Sequence, residues 1–241
     1  MSDPRIADLI QAGKVRFGTF PPQYTKDPTT GELKGPWVEV MRALGQHMGL
    51  SVALTELPTP SKLIECLDTG RCDVGSLGFD PTRADQVGGF TPPFMQVEYT
   101  LLVPAGSAMR SVADMDRPGI RIAVVRNHAS TLALGRITKQ AEQVVAETPD
   151  AAFNLLRSGR ADAWASVRPA LLDYSAELAG SRLLEDRYGA NFPALVVPKG
   201  RTERLAYISE FVETAKASGL VQRAIDRAGQ PGYRVAAPAQ R

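Results

Sequence analysis

The sequence predicts an α/β protein built as two similar lobes, each a mainly parallel sheet flanked by helices. Three observations carry this. Short runs rich in Val, Ile and Leu alternate with helical patterns along almost the whole chain, as in parallel sheets whose faces are covered by helices. A segment of fifteen residues recurs further along without a gap. The length of 241 residues, 44% of them hydrophobic and 22% charged, suits two units with a core each.

In chain order, "VRFGTF" reads as the first strand and "PWVEVMRALGQHMG" as the helix that follows. Trp37, Val40, Met41, Leu44 and Met48 recur there at helical spacing, and Gly49 supplies a left-handed stop. Further strands are expected at "SVALTEL", "DVGSL", "YTLLV", "RIAVV", "VVAET", "DAWAS" and "ALVVP". From Thr202 to Ala228 the pattern is helical, with Leu205, Ile208, Phe211, Val212 and Ala215 as the buried stripe.

The repeat pairs "TPSKLIECLDTGRCD" (59–73) with "TPDAAFNLLRSGRAD" (148–162). Thr59, Pro60, Leu67, Gly70, Arg71 and Asp73 match Thr148, Pro149, Leu156, Gly159, Arg160 and Asp162. Each copy reads as one unit: Thr-Pro starts a helix, an apolar face covers a sheet, Gly ends the helix and a strand begins at the Asp. Two such lobes leave a cleft, and ligands of open α/β sheets bind beyond the carboxyl ends of the strands. In the first lobe that end is "GSLGF"; in the second it is "AWASVR".

Composition removes several function classes. The 28 Lys plus Arg and 26 Asp plus Glu leave a net charge of +2, and the basic residues are scattered, so no phosphate-backbone footprint and no nucleic-acid partner are expected. No apolar run reaches the length of a membrane-spanning helix. The N-terminus "MSDPRIADLIQAGKVRFG" has neither a basic region nor an apolar core of the secretory type. A leader already removed and residence inside the cell both fit. Cys66 and Cys72 are too few for a metal cluster. They read equally as a disulfide of an exported protein or as two small buried thiols.

The motifs "VRFGTFPPQY", "GELKGPWVEVMRALGQHMGL", "GRCDVGSLGFDPTRADQVGGFTPPF", "SVADMDRPGIRIAVV", "SGRADA" and "FVETAKASGLVQRAI" run from Val15 to about Asp226. In order and spacing the chain resembles the bacterial extracellular solute-binding proteins of family 3, the type II periplasmic receptors of ABC importers for polar amino acids. The resemblance implies a type II periplasmic-binding-protein fold with two lobes joined by two crossing strands near "YTLLVPAG" and "ALVVPKG". Residues 1–102 and 196–241 would form lobe 1, and residues 103–195 lobe 2. It implies hinge closure on a ligand, an inner-membrane ABC permease as partner, a periplasmic location, a monomer, and neither cofactor, metal nor catalysis.

Carried over residue by residue, the resemblance gives Arg83 in "DPTR" the ligand's carboxylate, which a guanidinium fork takes with two hydrogen bonds. Gly75, Ser76, Leu77, Gly78 and Phe79 would lie beside it, the small side chains letting main-chain N–H groups approach the anion. Phe20 matches an aromatic residue that stacks on the ligand. In the second lobe Asn127, His128 and Ser130 occupy the loop that opens a helix, and its free amides suit an anion. His128 reads as a polar pocket residue or as a general base. Val167 stands where the family's amino-acid receptors place the Asp that pairs with the ligand's α-ammonium. Burying an ammonium without that carboxylate costs several kcal/mol. The expected ligand is therefore a small organic acid or amino-acid-like solute, with a carboxylate lacking the α-ammonium favoured, and a dicarboxylate if Arg168 points inward rather than to the surface. Trp37, Trp164, Tyr188 and Asn191 read as core or pocket wall. An enzyme resembling the cyclohexadienyl dehydratases, or a ligand-sensing domain, are the alternative functions.

Overall fold

A computed structural model describes residues 3–229 and 231–238. From the amino end come α1 (Ala7–Ala12), β1 (Lys14–Thr19), the short strands β2 (Thr25–Lys26) and β3 (Leu33–Lys34), α2 (Pro36–Met48), β4 (Ser51–Glu56), α3 (Pro60–Asp68) and β5 (Val74–Gly78). A 3-10 turn over Pro81–Gln86 leads to β6 (Met95–Val103), β7 (Arg121–Val125), α4 (Ala129–Ile137), β8 (Glu142–Ala146), α5 (Pro149–Arg157), β9 (Ala163–Val167) and α6 (Arg168–Ser175). The chain ends through β10 (Arg182–Leu183), β11 (Gly189–Asn191), β12 (Pro193–Val196), α7 (Thr202–Ala217), α8 (Leu220–Ala228) and β13 (Tyr233–Val235). The tail read as mostly helical is thus two helices, divided at Gly219 with φ 75°.

The chain divides into two compact units, one of Met1–Gln96, Phe192–Gln230 and Arg234–Arg241, the other of Val97–Asn191 and Pro231–Tyr233. It passes between them at Gln96–Val97 and Asn191–Phe192, a few residues before the expected 102/103 and 195/196, and Pro231–Tyr233, inside the span expected for lobe 1, is grouped with the second unit. The run "YTLLV" lies inside the second unit's sheet, and "ALV" inside the first's.

In the first unit the strand order is β12-β5-β1-β4. β1 pairs in parallel with β4 and β5, while β12 returns antiparallel against β5. In the second unit β7 pairs in parallel with β8 and β9, and β6 runs antiparallel to β9. Both faces of that sheet are covered. Leu102, Ala123, Val125 and Trp164 pack into one core with Phe153 and Leu156, whereas Leu101, Val103, Ile122, Val124, Ala163 and Ala165 pack into another with Leu134. Burial on both sides is why these strands read as continuous apolar runs.

The repeat is also a structural repeat. Thr59 Oγ1 accepts from the Lys62 N–H at 3.3 Å and Thr148 Oγ1 from the Ala151 N–H at 3.2 Å, capping α3 and α5 alike. Pro60 and Pro149 each open a helix, where no backbone N–H is needed. Leu67 and Leu156 are buried. Gly70 and Gly159 take φ 67° and 69° after the helix, conformations that cost a side chain most. Arg71 Nε and Arg160 Nε donate to the hydroxyls of Thr69 and Ser158.

Asp73 and Asp162 explain the last identity. The Asp73 carboxylate accepts from Arg16 Nη2 at 2.7 Å, Nε at 2.8 Å and the backbone N–H at 2.9 Å. Asp162 accepts from Arg121 Nη2 at 2.8 Å, Nε at 3.1 Å and the backbone N–H at 2.8 Å. Each unit thereby fastens its first parallel strand to the start of its repeat strand with a bidentate pair. Burial works to raise the Asp73 pKa, but the hydrogen bonds and charge of Arg16 outweigh it, and the carboxyl stays below its usual range.

Candidate ligand-binding site

β5, the strand carrying the expected cradle, is buried along its whole length between β1 and β12. Its register with β1 sets Gly18 beside Gly75. A Cβ at Gly75 would stand 2.7 Å from Leu63 Cδ1, and one at Gly18 would stand 2.3 Å from the same methyl and 2.9 Å from Cys72 Sγ. The two glycines thus make room for Leu63 of α3, which is completely buried. The bare backbone at Gly75 serves helix-on-sheet packing. Leu77 is core as well, packed with Leu63, Cys66, Leu67 and Val87. Phe20 belongs to the same cluster.

The carboxyl end of β5 is where polar groups converge. The Arg83 backbone N–H donates to the Asp80 carbonyl at 3.0 Å, closing the start of the 3-10 turn. The Arg83 side chain turns back to the strand end, with Nη1 3.5 Å from the Gly78 carbonyl oxygen, and only 4% of the residue is exposed. A guanidinium withdrawn from water interacts more strongly with an anion than one on a solvated loop.

Gln23, absent from the sequence-based site, holds this end together. Its Nε2 donates to the Ser76 carbonyl at 2.7 Å, and its Oε1 accepts from Thr19 Oγ1 at 3.0 Å and from the Phe20 N–H at 3.4 Å. Both faces of one buried carboxamide therefore tie the end of β1 to β5. The only local signal was a polar residue inside "FPPQY". The Ser76 hydroxyl is buried without a hydrogen-bond partner. The Phe79 N–H donates to the Phe192 carbonyl at 2.9 Å, so this amide belongs to the backbone ladder. A disulfide joins Cys66 and Cys72, linking the end of α3 to the approach to β5, which resolves the two sequence readings in favour of the bridge.

In the second unit Asn127 adopts φ 58°, the left-handed conformation that asparagine tolerates best after glycine. The turn sets His128 as the residue before α4, with no side-chain cap on the helix amides. His128 and Ser130 are buried. Thr131 Oγ1 donates to the Val125 carbonyl at 2.7 Å, and Tyr188 Oη donates to the Ser130 carbonyl at 3.3 Å while its ring stacks on Tyr99.

Val167 ends β9 and precedes α6, buried to 6% exposure. Arg168, the next residue, is held within its own unit: Nε donates to Glu98 at 3.0 Å, Nη1 to the Leu184 carbonyl at 3.1 Å, and Nη2 to the Glu185 and Asp186 carbonyls at 2.8 and 3.2 Å. These contacts commit its donors to fastening α6 to β6 and the Leu184–Asp186 segment. Trp164 and Trp37 are core residues, Trp164 lying edge-on to Tyr174.

The sequence profile described as "Bacterial extracellular solute-binding proteins, family 3" matches residues 16–230. Over 150 residues, 56% of this chain, the sequence is 31% identical to an Escherichia coli (strain K12) protein named as a candidate binding protein for aliphatic sulfonates; the chain spans 45% of that relative's length. A solved structure of the solute receptors for L-cysteine of Neisseria gonorrhoeae matches with a TM-score of 0.82 at 20% identity, over 94% of either chain. An amino acid ABC transporter substrate-binding protein from Streptococcus pneumoniae Canada MDR_19A, bound to L-arginine, gives 0.79 at 16% identity, over 94% of this chain and 98% of that one. An ancestral amino acid-binding protein, a precursor of cyclohexadienyl dehydratase, gives 0.78 at 23% identity, over 93% and 99%. At these identities the likeness to solved structures establishes the two-lobed type II fold.

Proposed function

The chain belongs to the bacterial extracellular solute-binding proteins of family 3, and on that footing we propose that it is the receptor of an ABC importer for a small carboxylate-bearing solute without an α-ammonium. The observation that carries this reading is the enclosed Arg83 guanidinium at the carboxyl end of β5. There it takes the solute's carboxylate, with Gly78 and Phe79 as neighbours. Gln23 keeps the two strand ends in place around it.

Within the second unit, Asn127, His128, Ser130 and the amides opening α4 are the polar candidates for an anion. Val167 offers an ammonium nothing, so a zwitterion forfeits the several kcal/mol of a paired charge. The name of the Escherichia coli relative, which refers to aliphatic sulfonates, supports an oxyanion as ligand. With its guanidinium used inside its own unit, Arg168 is left out of the ligand's contacts, and the solute is a monocarboxylate rather than a dicarboxylate.

The chain acts as a monomer in the periplasm, and the Cys66–Cys72 bridge supports an oxidising compartment. It turns over no substrate: a dehydratase on this scaffold needs a proton donor where Val167 stands. A panel of mono- and dicarboxylates, matched sulfonates and amino acids tests the reading by thermal shift. A true ligand at 100 times its Kd adds about 2.7 kcal/mol of stability. Arg83→Ala abolishes that shift. If no oxyanion stabilises the protein, or if Arg83→Ala leaves the shift intact, the reading is wrong.

A further inference from the structure

The Cys66–Cys72 bridge closes a turn that the repeat makes twice, and the second copy makes it without sulfur. In the first unit the Cys66 carbonyl accepts from the Arg71 and Cys72 N–H groups at 2.9 and 3.0 Å. In the second, Leu155 and Ala161 stand in the places of the two cysteines, and the Leu155 carbonyl accepts from the Arg160 and Ala161 N–H groups at 3.0 and 3.1 Å. Thr69 and Ser158 each donate a hydroxyl back to the preceding helix at 2.7 Å, to the Glu65 and Asn154 carbonyls. Hydrogen bonds and the left-handed glycine therefore specify the turn, and the bridge is added to it.

What differs between the copies is the strand that follows. β9 carries Trp164 in one core with Ala152 of α5, where it packs with Phe153 and Tyr174. At the matching positions β5 carries Gly75 and α3 carries Leu63, so volume has moved from the strand to the helix. β5 also holds Gly78 where β9 has Val167. Glycines give a strand more freedom to lose on folding. A cross-link around the turn takes freedom from the unfolded chain instead, and it stands in the copy whose strand holds the glycines.

We propose that the Cys66–Cys72 bridge is a redox lock on the unfolding of the first unit and not a condition of its fold. With both thiols free the chain adopts the same turn and the same native state, and unfolds more readily. Closing the lock joins the two sulfurs and passes their two hydrogens to an acceptor disulfide, which leaves as two thiols. Cys66 is 1% exposed and Cys72 not at all. Exchange in either direction therefore waits for the turn between α3 and β5 to open, and the native protein keeps the redox state in which it folded.

The test compares the oxidised full chain with the same chain unfolded, reduced and refolded in dithiothreitol. The reduced chain regains the near-ultraviolet circular dichroism of the oxidised one, while its urea midpoint falls. Added to the native oxidised chain, dithiothreitol opens the bridge at least about tenfold more slowly than in unfolding urea, read by intact mass after alkylation. A transplant checks that the two turns are equivalent. In a chain with Cys66→Ala and Cys72→Ala, which has no other cysteine, Leu155→Cys with Ala161→Cys closes a new bridge in oxidised glutathione, seen as the loss of two hydrogens. If the reduced chain fails to regain the native spectrum, the bridge is a condition of the fold and the proposal is overturned. An unchanged urea midpoint, or reduction as fast in buffer as in urea, overturns the lock. Transplanted thiols that stay free in a folded chain overturn the equivalence of the turns on which it rests.

Discussion

Gly75→Ala separates two accounts of the glycine in "DVGSLG": space for a helix, or close approach of a ligand. The added methyl would lie 2.7 Å from Leu63 Cδ1 and 3.0 Å from Cδ2, inside any normal carbon–carbon contact. Leu63 has no exposed surface into which to retreat. Overpacking of this kind costs about 1–3 kcal/mol, offset by roughly 0.5–1 kcal/mol from the lost flexibility of glycine. The net expectation is a loss of about 1–2 kcal/mol, read from the midpoint of urea unfolding at unchanged slope. Leu63→Ala alone costs about 2–5 kcal/mol by opening a cavity. In that background Gly75→Ala becomes neutral or mildly stabilising, because the offending methyls are gone. The double-mutant cycle therefore shows a coupling of at least about 1 kcal/mol, and ligand affinity changes less than twofold in Gly75→Ala. If Gly75→Ala leaves stability untouched and abolishes binding, or if the two changes are additive, the packing account is refuted.

Acid should reveal the twin Arg–Asp clasps. The Asp73 pKa is lowered in the folded protein, so its contribution is present above the unfolded carboxyl value and lost as pH falls through the folded one. Wild-type stability therefore declines below about pH 4, and Asp73→Asn flattens that decline in unfolding curves taken between neutral pH and the acid limb. Arg168→Ala should lower the free energy of unfolding by about 2–4 kcal/mol, since it strips partly buried Glu98 of a charged partner and three carbonyls of a donor, while ligand affinity stays within twofold; a tenfold loss of affinity would return Arg168 to the site.

Local chemistry was the legible part of this chain. The Thr-Pro starts, glycine stops and helical stripes all turn on neighbours within a few residues, so the repeat announced itself before any pairing was known. Partners that sit far along the chain left no such trace. Arg16 meets Asp73 and Arg121 meets Asp162 only because β1 and β7 lie beside the repeat strands. Strand direction was equally silent: "YTLLV" is apolar on both faces whichever way it runs, and it proved antiparallel to β9. The packing role of Gly75 went unread because small size suits a helix above as well as an anion beside it. Arg168 was left open because three of its four acceptor residues contribute backbone carbonyls, which no side-chain pattern encodes. Gln23 was missed for the reason that hid Arg16.

The choice of glutamine at position 23 has a consequence for how the ends of β1 and β5 respond to acidity. A carboxamide keeps one accepting and one donating face at every pH. Glutamate in its place would need a proton to go on donating to the Ser76 carbonyl, and once ionised it would press a negative charge against that oxygen. The spacing between the ends of β1 and β5 therefore has no titration curve of its own. Gln23 works as a strut whose length is independent of the acidity of the medium.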